Sequence, residues 1–300
     1  MKILVTGGRG FLGSVICNSL SKKNDLFTLS RSNSNFNYNL DIETPIITEK
    51  FDIVIHAAGK AHLVPLNDTD SINFFLSNVN GTKHLLEGLR MSSMPKYFVF
   101  ISSVSVYGLT AGENINEMSP LLAVDPYGKS KIEAEEIVKK WCDEHNLVCT
   151  ILRLPLVVGA NPPGNLGAMI KGIKKGYYFN IAGGNAKKSM VLASDIAKFI
   201  LKASEVGGTY NLTDGIHPTF NELSKRISQE FYKSFVPNMP LFIAKGLAKI
   251  GDILSNVFPI NSNKLSKITS TLTFDDSKAR LAFGWNPNPV LEGFKLNENV

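Results

Sequence analysis

Thr6-Gly7-Gly8-Arg9-Gly10-Phe11-Leu12-Gly13 decides the reading of this chain. It follows an apolar run, Lys2–Thr6, and opens an apolar 3.6-residue pattern over Phe11–Ser21. That order is strand, glycine turn, helix. Gly7 permits the tight turn, Gly10 lets backbone approach a pyrophosphate, and Gly13 lets helix pack closely on strand. Phe11 and Leu12 stand at the helix N-terminus, where unpaired amides and the helix dipole face negative charge. The spacing is G-x-x-G-x-x-G rather than G-x-G-x-x-G, so the strand–turn–helix setting carries the inference more than the glycines do.

Working outward, the first half alternates short apolar runs with helical patterns. Strands are expected at Asp25–Ser30, Phe51–Ala57, Tyr97–Ser102 and Val148–Leu152, and helices at Leu76–Met91 and Pro126–Glu144. Strands that alternate with helices form parallel sheets through right-handed crossovers. Nearly continuous apolar strands fit a sheet covered on both faces. The fold expected is α/β, a doubly wound parallel-sheet Rossmann fold with a smaller C-terminal lobe. After residue 160 the rhythm changes to short helices at Ala168–Gly176, Thr219–Phe231, Pro240–Val257 and Asp276–Phe283, a strand running into a helix over Lys188–Ile200, and a last strand at Tyr210–Leu212. The dinucleotide-binding domain is expected over 1–160 with about 188–215. The substrate lobe takes about 161–187 and 216–300.

Composition bounds the function. The chain has 300 residues, 44% of them hydrophobic and 19% charged, which is globular composition and excludes a disordered or fibrous chain. Lys and Arg exceed Asp and Glu by 32 − 26 = 6. That mild excess suits an anionic ligand, and no dense basic stripe with interleaved aromatics argues for nucleic acid. Cys17, Cys142 and Cys149 show neither Cys-x-x-Cys nor metal spacing, so free thiols in a reducing compartment, no metal site and a cytoplasmic protein are expected. No signal peptide or membrane span is read from the sequence. The apolar positions of Pro240–Val257 suit either a membrane surface or closure over the protein's own core, and the second is the expectation.

Two further segments carry chemistry. Tyr127-Gly128-Lys129-Ser130-Lys131 opens a helix behind the N-cap Asp125 and Pro126. Its i, i+4 spacing puts Tyr127 and Lys131 on one face, where an ammonium favours the phenolate for acid–base work. Ile101-Ser102-Ser103-Val104-Ser105-Val106-Tyr107-Gly108 follows the fourth strand and places Ser103 at the carboxyl edge of the sheet, where ligands bind. The second strand ends at Ser30-Arg31 with no acid for an adenosine ribose. Arg31, with Arg9, suits a 2′-phosphate, and Asp41-Ile42 stands one loop later to meet the adenine. This favours NADP(H), with NAD(H) as the alternative.

Together these segments resemble the extended short-chain dehydrogenases/reductases, the NAD(P)-dependent sugar-nucleotide epimerase/dehydratase family. His56-Ala57-Ala58-Gly59, Asn80-Gly81-Thr82, Arg153-Leu154-Pro155-Leu156-Val157-Val158-Gly159, Lys188–Ile196 and Asp275-Asp276-Ser277-Lys278 with Phe283-Gly284-Trp285 extend the resemblance over nearly the whole chain. The resemblance implies Tyr127 as acid/base, Lys131 as holder of the nicotinamide ribose, and Ser103 as the group that polarises the C4 oxygen. It implies cofactor contacts from Ala57, Ala58, Gly59, Asn80, Ser102 and Pro155, and substrate contacts from Ser105, Asn165 and Lys188. Dehydrating members carry Asp-Glu where this chain has Val104-Ser105, which disfavours a 4,6-dehydratase. A 4-ketoreductase acting on a nucleotide-diphosphate sugar is the first expectation and a UDP-hexose (or UDP-N-acetylhexosamine) 4-epimerase the alternative. A non-catalytic NADP(H) sensor is a third reading, disfavoured by the complete Ser–Tyr–Lys set. The resemblance also implies a homodimer with Ile132–Trp141 as its candidate face, while burial against the chain's own sheet explains the same apolar pattern.

Overall fold

The structure is a computed structural model. It describes every residue except 62–67, 93, 234, 255–259 and 297–300, and the backbone alone at 68–70. In chain order the first half runs β1 (Lys2–Thr6), α1 (Phe11–Leu20), β2 (Asp25–Ser30), β3 (Phe36–Asn37), β4 (Ile53–His56), α2 (Asp68–Phe75), a π turn (Leu76–Asn80), α3 (Gly81–Met91), β5 (Tyr97–Ser103), a 3₁₀ turn (Val104–Tyr107), β6 (Gly112–Ile115), α4 (Pro126–Glu144) and β7 (Val148–Leu154). There follow β8 (Leu156–Val158), α5 (Gly164–Lys175), β9 (Asn180–Ile181), β10 (Met190–Leu192), α6 (Ala193–Val206), β11 (Gly208–Asn211), α7 (Phe220–Glu230), β12 (Asn238–Met239), α8 (Leu241–Leu254), α9 (Ser262–Thr269), β13 (Leu272–Phe274), α10 (Ser277–Phe283) and α11 (Val290–Gly293).

Seven parallel strands form one sheet in the order β11-β7-β5-β4-β1-β2-β3. The order reverses between β1 and β4, which opens a crevice at the carboxyl ends of the strands. One face buries Ile3, Val5, Ile55 and Leu152 under α1 and α6, joined by Phe283 and Trp285 from the C-terminal segment. The other buries Leu4, Val54, Phe98 and Phe100 under α3 and α4. A third apolar cluster joins α5, α7, β8, β10 and α11 around Met169, Leu223, Ile227 and Phe294.

Local chemistry sets the ends that matter. Asp125 Oδ1 accepts from the Gly128 amide at 3.0 Å and Pro126 opens α4, so Tyr127 starts the helix in a fixed place. Thr219 and Glu222 form a reciprocal capping box at α7. Where one helix over Leu76–Met91 is expected, the chain enters through α2 and a π turn, which gives Asn78 a place that a regular helix would not. The end of the expected apolar helix at 255–257 lies outside the described residues. Among the described residues no helix is long and apolar enough to cross a membrane.

Candidate active site

The glycine turn builds the first wall. Gly7 has φ +69°, and a Cβ there would sit 2.7 Å from the Ala58 backbone. A Cβ on Gly13 would lie 2.1 Å from the Gly7 carbonyl, so the helix meets the turn only without a side chain. Beyond the turn a groove of about 920 Å³ runs over Gly7, Gly10, Ser30, Arg31, Asp41, Ala58 and Gly59, with Arg9, Tyr38, Asn39, Lys60, Asn73 and Ser77. Ser30 Oγ is buried in this wall with no hydrogen-bond partner among the described residues. A glycine cradle and an unpaired hydroxyl both fit a dinucleotide there.

A relay behind the groove holds its floor. The Ala58 amide donates to Thr6 Oγ1 at 3.2 Å, and the Thr82 hydroxyl donates to the Asn78 carbonyl at 2.6 Å. Thr6 Oγ1 and His56 Nδ1 lie 2.7 Å apart, and His56 Nε2 and Thr82 Oγ1 lie 3.0 Å apart. With the outer donors assigned, the neutral His56 carries its proton on Nε2 and accepts from Thr6 on Nδ1. Burial pushes His56 down to about 3, helped by the Lys131 charge.

Asn78 then clamps the turn after β4. Its Oδ1 accepts from the Lys60 amide at 2.8 Å. Its Nδ2 donates to the Lys60 carbonyl and to Ser130 Oγ, at 3.1 and 2.9 Å. The Ser130 hydroxyl in turn donates to the Tyr127 carbonyl at 2.8 Å. A Cβ on Gly59 would lie 2.7 Å from Asn78 Oδ1 and 3.3 Å from Lys131 Nζ. The ammonium of Lys131 thus reaches the groove wall at Gly59.

Ser103, Tyr127 and Lys131 come together at the sheet's carboxyl edge. Ser103 ends β5, accepts from the Ser105 amide at 3.2 Å, and hydrogen-bonds the Tyr127 phenol. Burial raises the Tyr127 pKa, and the Ser103 hydrogen bond opposes that shift. The Tyr127 ring lies 5.6 Å from that of Phe74. Lys131 is 6% exposed, donates to the Ile101 carbonyl at 3.0 Å and sits 4.8 Å from the centre of the Phe100 ring. Burial pushes Lys131 down to about 8, and the charge of Glu135 opposes the shift.

Glu135 is fully buried one turn beyond Lys131, and sequence reasoning missed it. It accepts from Ser102 Oγ at 2.6 Å and takes both ends of the Arg153 guanidinium, at 3.0 and 2.7 Å. Arg153 also donates to the Tyr107 phenol at 3.1 Å, and Tyr107 to Asn211 at 2.8 Å. The network ties α4 to β5, β7 and β11. A buried acid on a helix is indistinguishable in sequence from a solvated one, and the only signal was Arg153 in the opposing strand.

A second cavity, of about 220 Å³, begins at Val104, the residue after Ser103. Ser103 pairs with Leu154 across β5 and β7, and the next residue on each strand, Val104 and Pro155, lines it. Asn165, Lys188, Phe220 and Leu272 are among the other residues of its wall. Lys188 Nζ donates to the Ser270 carbonyl at 2.7 Å, and burial pushes it down to about 8. Ser105 Oγ is buried without a partner among the described residues.

Of the other sequence candidates, all but Arg31 lie outside the groove wall. Ile42 is exposed and outside the groove wall. Ser102 is buried with its hydroxyl committed to Glu135. Phe11 packs toward Gly159, Leu12 packs on the core, Ala57 accompanies β4 through its backbone, and Gly13 lies beneath Gly7. Asn80 lies in the π turn without reaching the groove, and the contacts to Lys60 and Ser130 belong to Asn78. In Asn78-Val79-Asn80-Gly81-Thr82 either asparagine reads alike until the π turn fixes which faces the sheet. Arg31 donates to Asp41 at 2.7 Å and to Asn39 at 3.3 Å, so the cation read as a phosphate ligand is already paired. Cys17, Cys142 and Cys149 are free thiols.

The crevice at the strand reversal and the glycine turn beneath it define a doubly wound dinucleotide-binding protein, with Ser103, Tyr127 and Lys131 beside the crevice. The profile of the NAD dependent epimerase/dehydratase family matches residues 3–213, and the chain belongs to that family. It is 28% identical over 298 residues to the N-acetyl-alpha-D-glucosaminyl-diphospho-ditrans,octacis-undecaprenol 4-epimerase of Escherichia coli O157:H7, covering 92% of this chain and 88% of that protein. The UDP-glucose 4-epimerase of Thermotoga maritima, solved with UDP-glucose, superposes with a TM-score of 0.76 at 22% identity, covering 99% of this chain and 97% of that one. The RMD protein of Pseudomonas aeruginosa, complexed with NADPH, superposes with a TM-score of 0.72 at 20% identity, covering 97% and 95%. The cofactor is therefore a nicotinamide dinucleotide.

Proposed function

We propose that the chain is a 4-epimerase of a diphosphate-linked hexose, working with tightly held NAD. One observation carries this reading over the reductase expected from sequence: Arg31 is bound to Asp41 at the adenosine end of the groove. A 2′-phosphate there meets the Asp41 carboxylate and competes with it for Arg31, whereas a plain ribose does neither. The similarity to a lipid-linked sugar 4-epimerase supports the same choice.

A nicotinamide dinucleotide held along Gly7, Gly10 and Ser30 would supply reversible hydride exchange at sugar C4, which lets the hydride be taken from one face and given back to the other. The residues of the chain do the rest. Tyr127 removes the C4 hydroxyl proton in one direction and returns it in the other. Lys131, charged below about pH 8, stabilises the phenolate across the groove wall at Gly59. Ser103 holds the C4 oxygen against Tyr127. The sugar's diphosphate carrier lies in the second cavity, between Pro155, Asn165 and Lys188. On this reading residues 1–160 with 188–215 hold the cofactor, and the remaining C-terminal segments hold the substrate.

The test is cofactor release and product analysis. Denatured protein is expected to release NAD, and UDP-glucose or UDP-N-acetylglucosamine to give its C4 epimer by NMR without net change at 340 nm. Tyr127→Phe is expected to lose about a hundredfold or more in kcat while retaining NAD. The 4-ketoreductase remains the second reading because Ser30 stands where an acid would exclude NADPH. Empty protein that prefers exchangeable NADPH and consumes it with a 4-keto sugar nucleotide would overturn the epimerase.

A further inference from the structure

Helix α8 closes over a small core, with Ala244 and Ala248 packed on Leu265, but it turns its large side chains away from that core. Its inward positions, Ala244, Ala248 and Gly251, are small. Its large side chains point out: Phe242 is 74% exposed and Ile253 83%, with Ile243, Ile250 and Leu254 beside them. On a helical wheel these five fall on one arc, and Gly246 lies within that arc. A Cβ added to Gly246 would meet nothing within 4 Å, so the face is open along its length.

The border of this face is cationic. Lys245 and Lys249 are exposed on its flank, one turn apart. Asp252, the single acid of the helix, is turned to α9, where it accepts from the Ser262 amide and hydroxyl. From residue 233 to 274 the sequence carries Lys233, Lys245, Lys249, Lys264 and Lys267 against Asp252 alone, a net charge of 5 − 1 = +4. A second copy placed on this face would set Lys245 and Lys249 against the same lysines of its partner. An apolar strip edged with lysines is instead complementary to an anionic lipid surface, which offers an acyl phase and negative headgroups together.

We propose that α8 docks the protein peripherally on an anionic membrane surface, with Phe242, Ile250 and Ile253 in the interface and Lys245 and Lys249 among the headgroups. The docked helix is connected to the second cavity. Helix α9 packs on α8 and runs directly into Ser270, whose carbonyl holds Lys188, and Leu272, which lines that cavity. The proposal stands on the surface itself and holds whichever hydride-transfer reaction the site performs.

The test is flotation of the full chain with phosphatidylcholine vesicles, with and without phosphatidylglycerol. Wild-type protein is expected to float with the anionic vesicles and to be released by salt. The double variant Phe242→Ser/Ile253→Ser and, separately, Lys245→Glu are expected to lose about tenfold or more of that binding. Both change exposed positions and are expected to keep the thermal unfolding of wild type. Leu281→Ser, an equally exposed apolar position on α10, is expected to bind as wild type does. No binding to anionic vesicles would overturn the proposal. So would undiminished binding by the double variant, or a wild-type dimer in sedimentation that the double variant dissolves.

Discussion

A single histidine sets how the dinucleotide site responds to acid. His56 is held neutral between two threonines, its folded pKa near 3 against an ordinary 6.5. Above about pH 6.5 neither folded nor unfolded chain carries the proton, and the full stabilisation is present. As pH falls from 6.5 towards 3 the unfolded chain takes up a proton that the folded one refuses, and stability is lost. The slope from this group is about 1.4 kcal/mol per pH unit in that window. Urea titrations between pH 7 and 4 are expected to show it, and His56→Gln is expected to be less stable at pH 7 but to lack that slope. Lys131 works in the opposite window. Its folded pKa near 8 lies below the ordinary 10.5, so burying its charge costs stability below pH 8 and the cost fades as pH rises to 10.5. Lys131→Met is expected to gain up to about 3 kcal/mol at pH 7, less towards pH 10, while losing catalysis. Such a trade between stability and chemistry marks a group kept for its charge. Tyr127, Lys131 and Ser103 were legible because each stands at a signalled position, after a strand or behind an N-cap. Asn78 and Glu135 were not, because their importance comes from partners 18 residues away in each case, Lys60 and Arg153.

Helix α4 is where the elements of the site are joined. Its start is fixed by Asp125 and Pro126, and its first turns carry Tyr127 and Lys131. The next turn is fastened to the sheet by Glu135 and Arg153. Removing one member of a buried ion pair leaves the other charge unsatisfied. Arg153→Met is therefore expected to cost about 3–5 kcal/mol in denaturant unfolding, and Glu135→Leu/Arg153→Met together less than the single change. Helix α4 was readable end to end from its cap and apolar period. The strands β3 and β6 were not: Phe36–Asn37 is a two-residue edge inside a Ser/Asn-rich loop, and Gly112–Ile115 gains its order from pairing with β13, over 150 residues later. Helix α9 was missed because its eight residues carry only one buried side chain, Leu265. Helix α8 was found and closes over a small core with Leu265, but the apolar pattern does not say which face turns inward, and only packing shows that it is Ala244, Ala248 and Gly251.

For the whole molecule, ligand and fold are thermodynamically linked. A dinucleotide that binds only the folded chain adds about 2.7 kcal/mol at a hundred times its Kd. NAD is expected to raise the unfolding temperature more than NADP at equal concentration, and Arg31→Ala to leave the NAD shift nearly unchanged. A larger shift with NADP that Arg31→Ala abolishes would restore the reductase as first choice. The parallel sheet and its crossovers were visible from the alternation of elements. The return of the C-terminal segment was less so, because Trp285 packs with Phe199 and Phe283 in the sheet's core although it belongs in sequence to the second half.

The adjacency of Ser103 and Leu154, with Val104 and Pro155 immediately beyond, divides labour along a single line. On the proposed reading, the groove side of that line fixes where the hydride and proton are exchanged, and the side beyond it fixes which carrier brings the sugar. Descendants of such a chain can therefore diversify their cargo by rewriting the walls past Val104 and Pro155 while the reaction point stays anchored to two neighbouring strand ends. Changes of substrate are cheap in this architecture, and changes of chemistry are not.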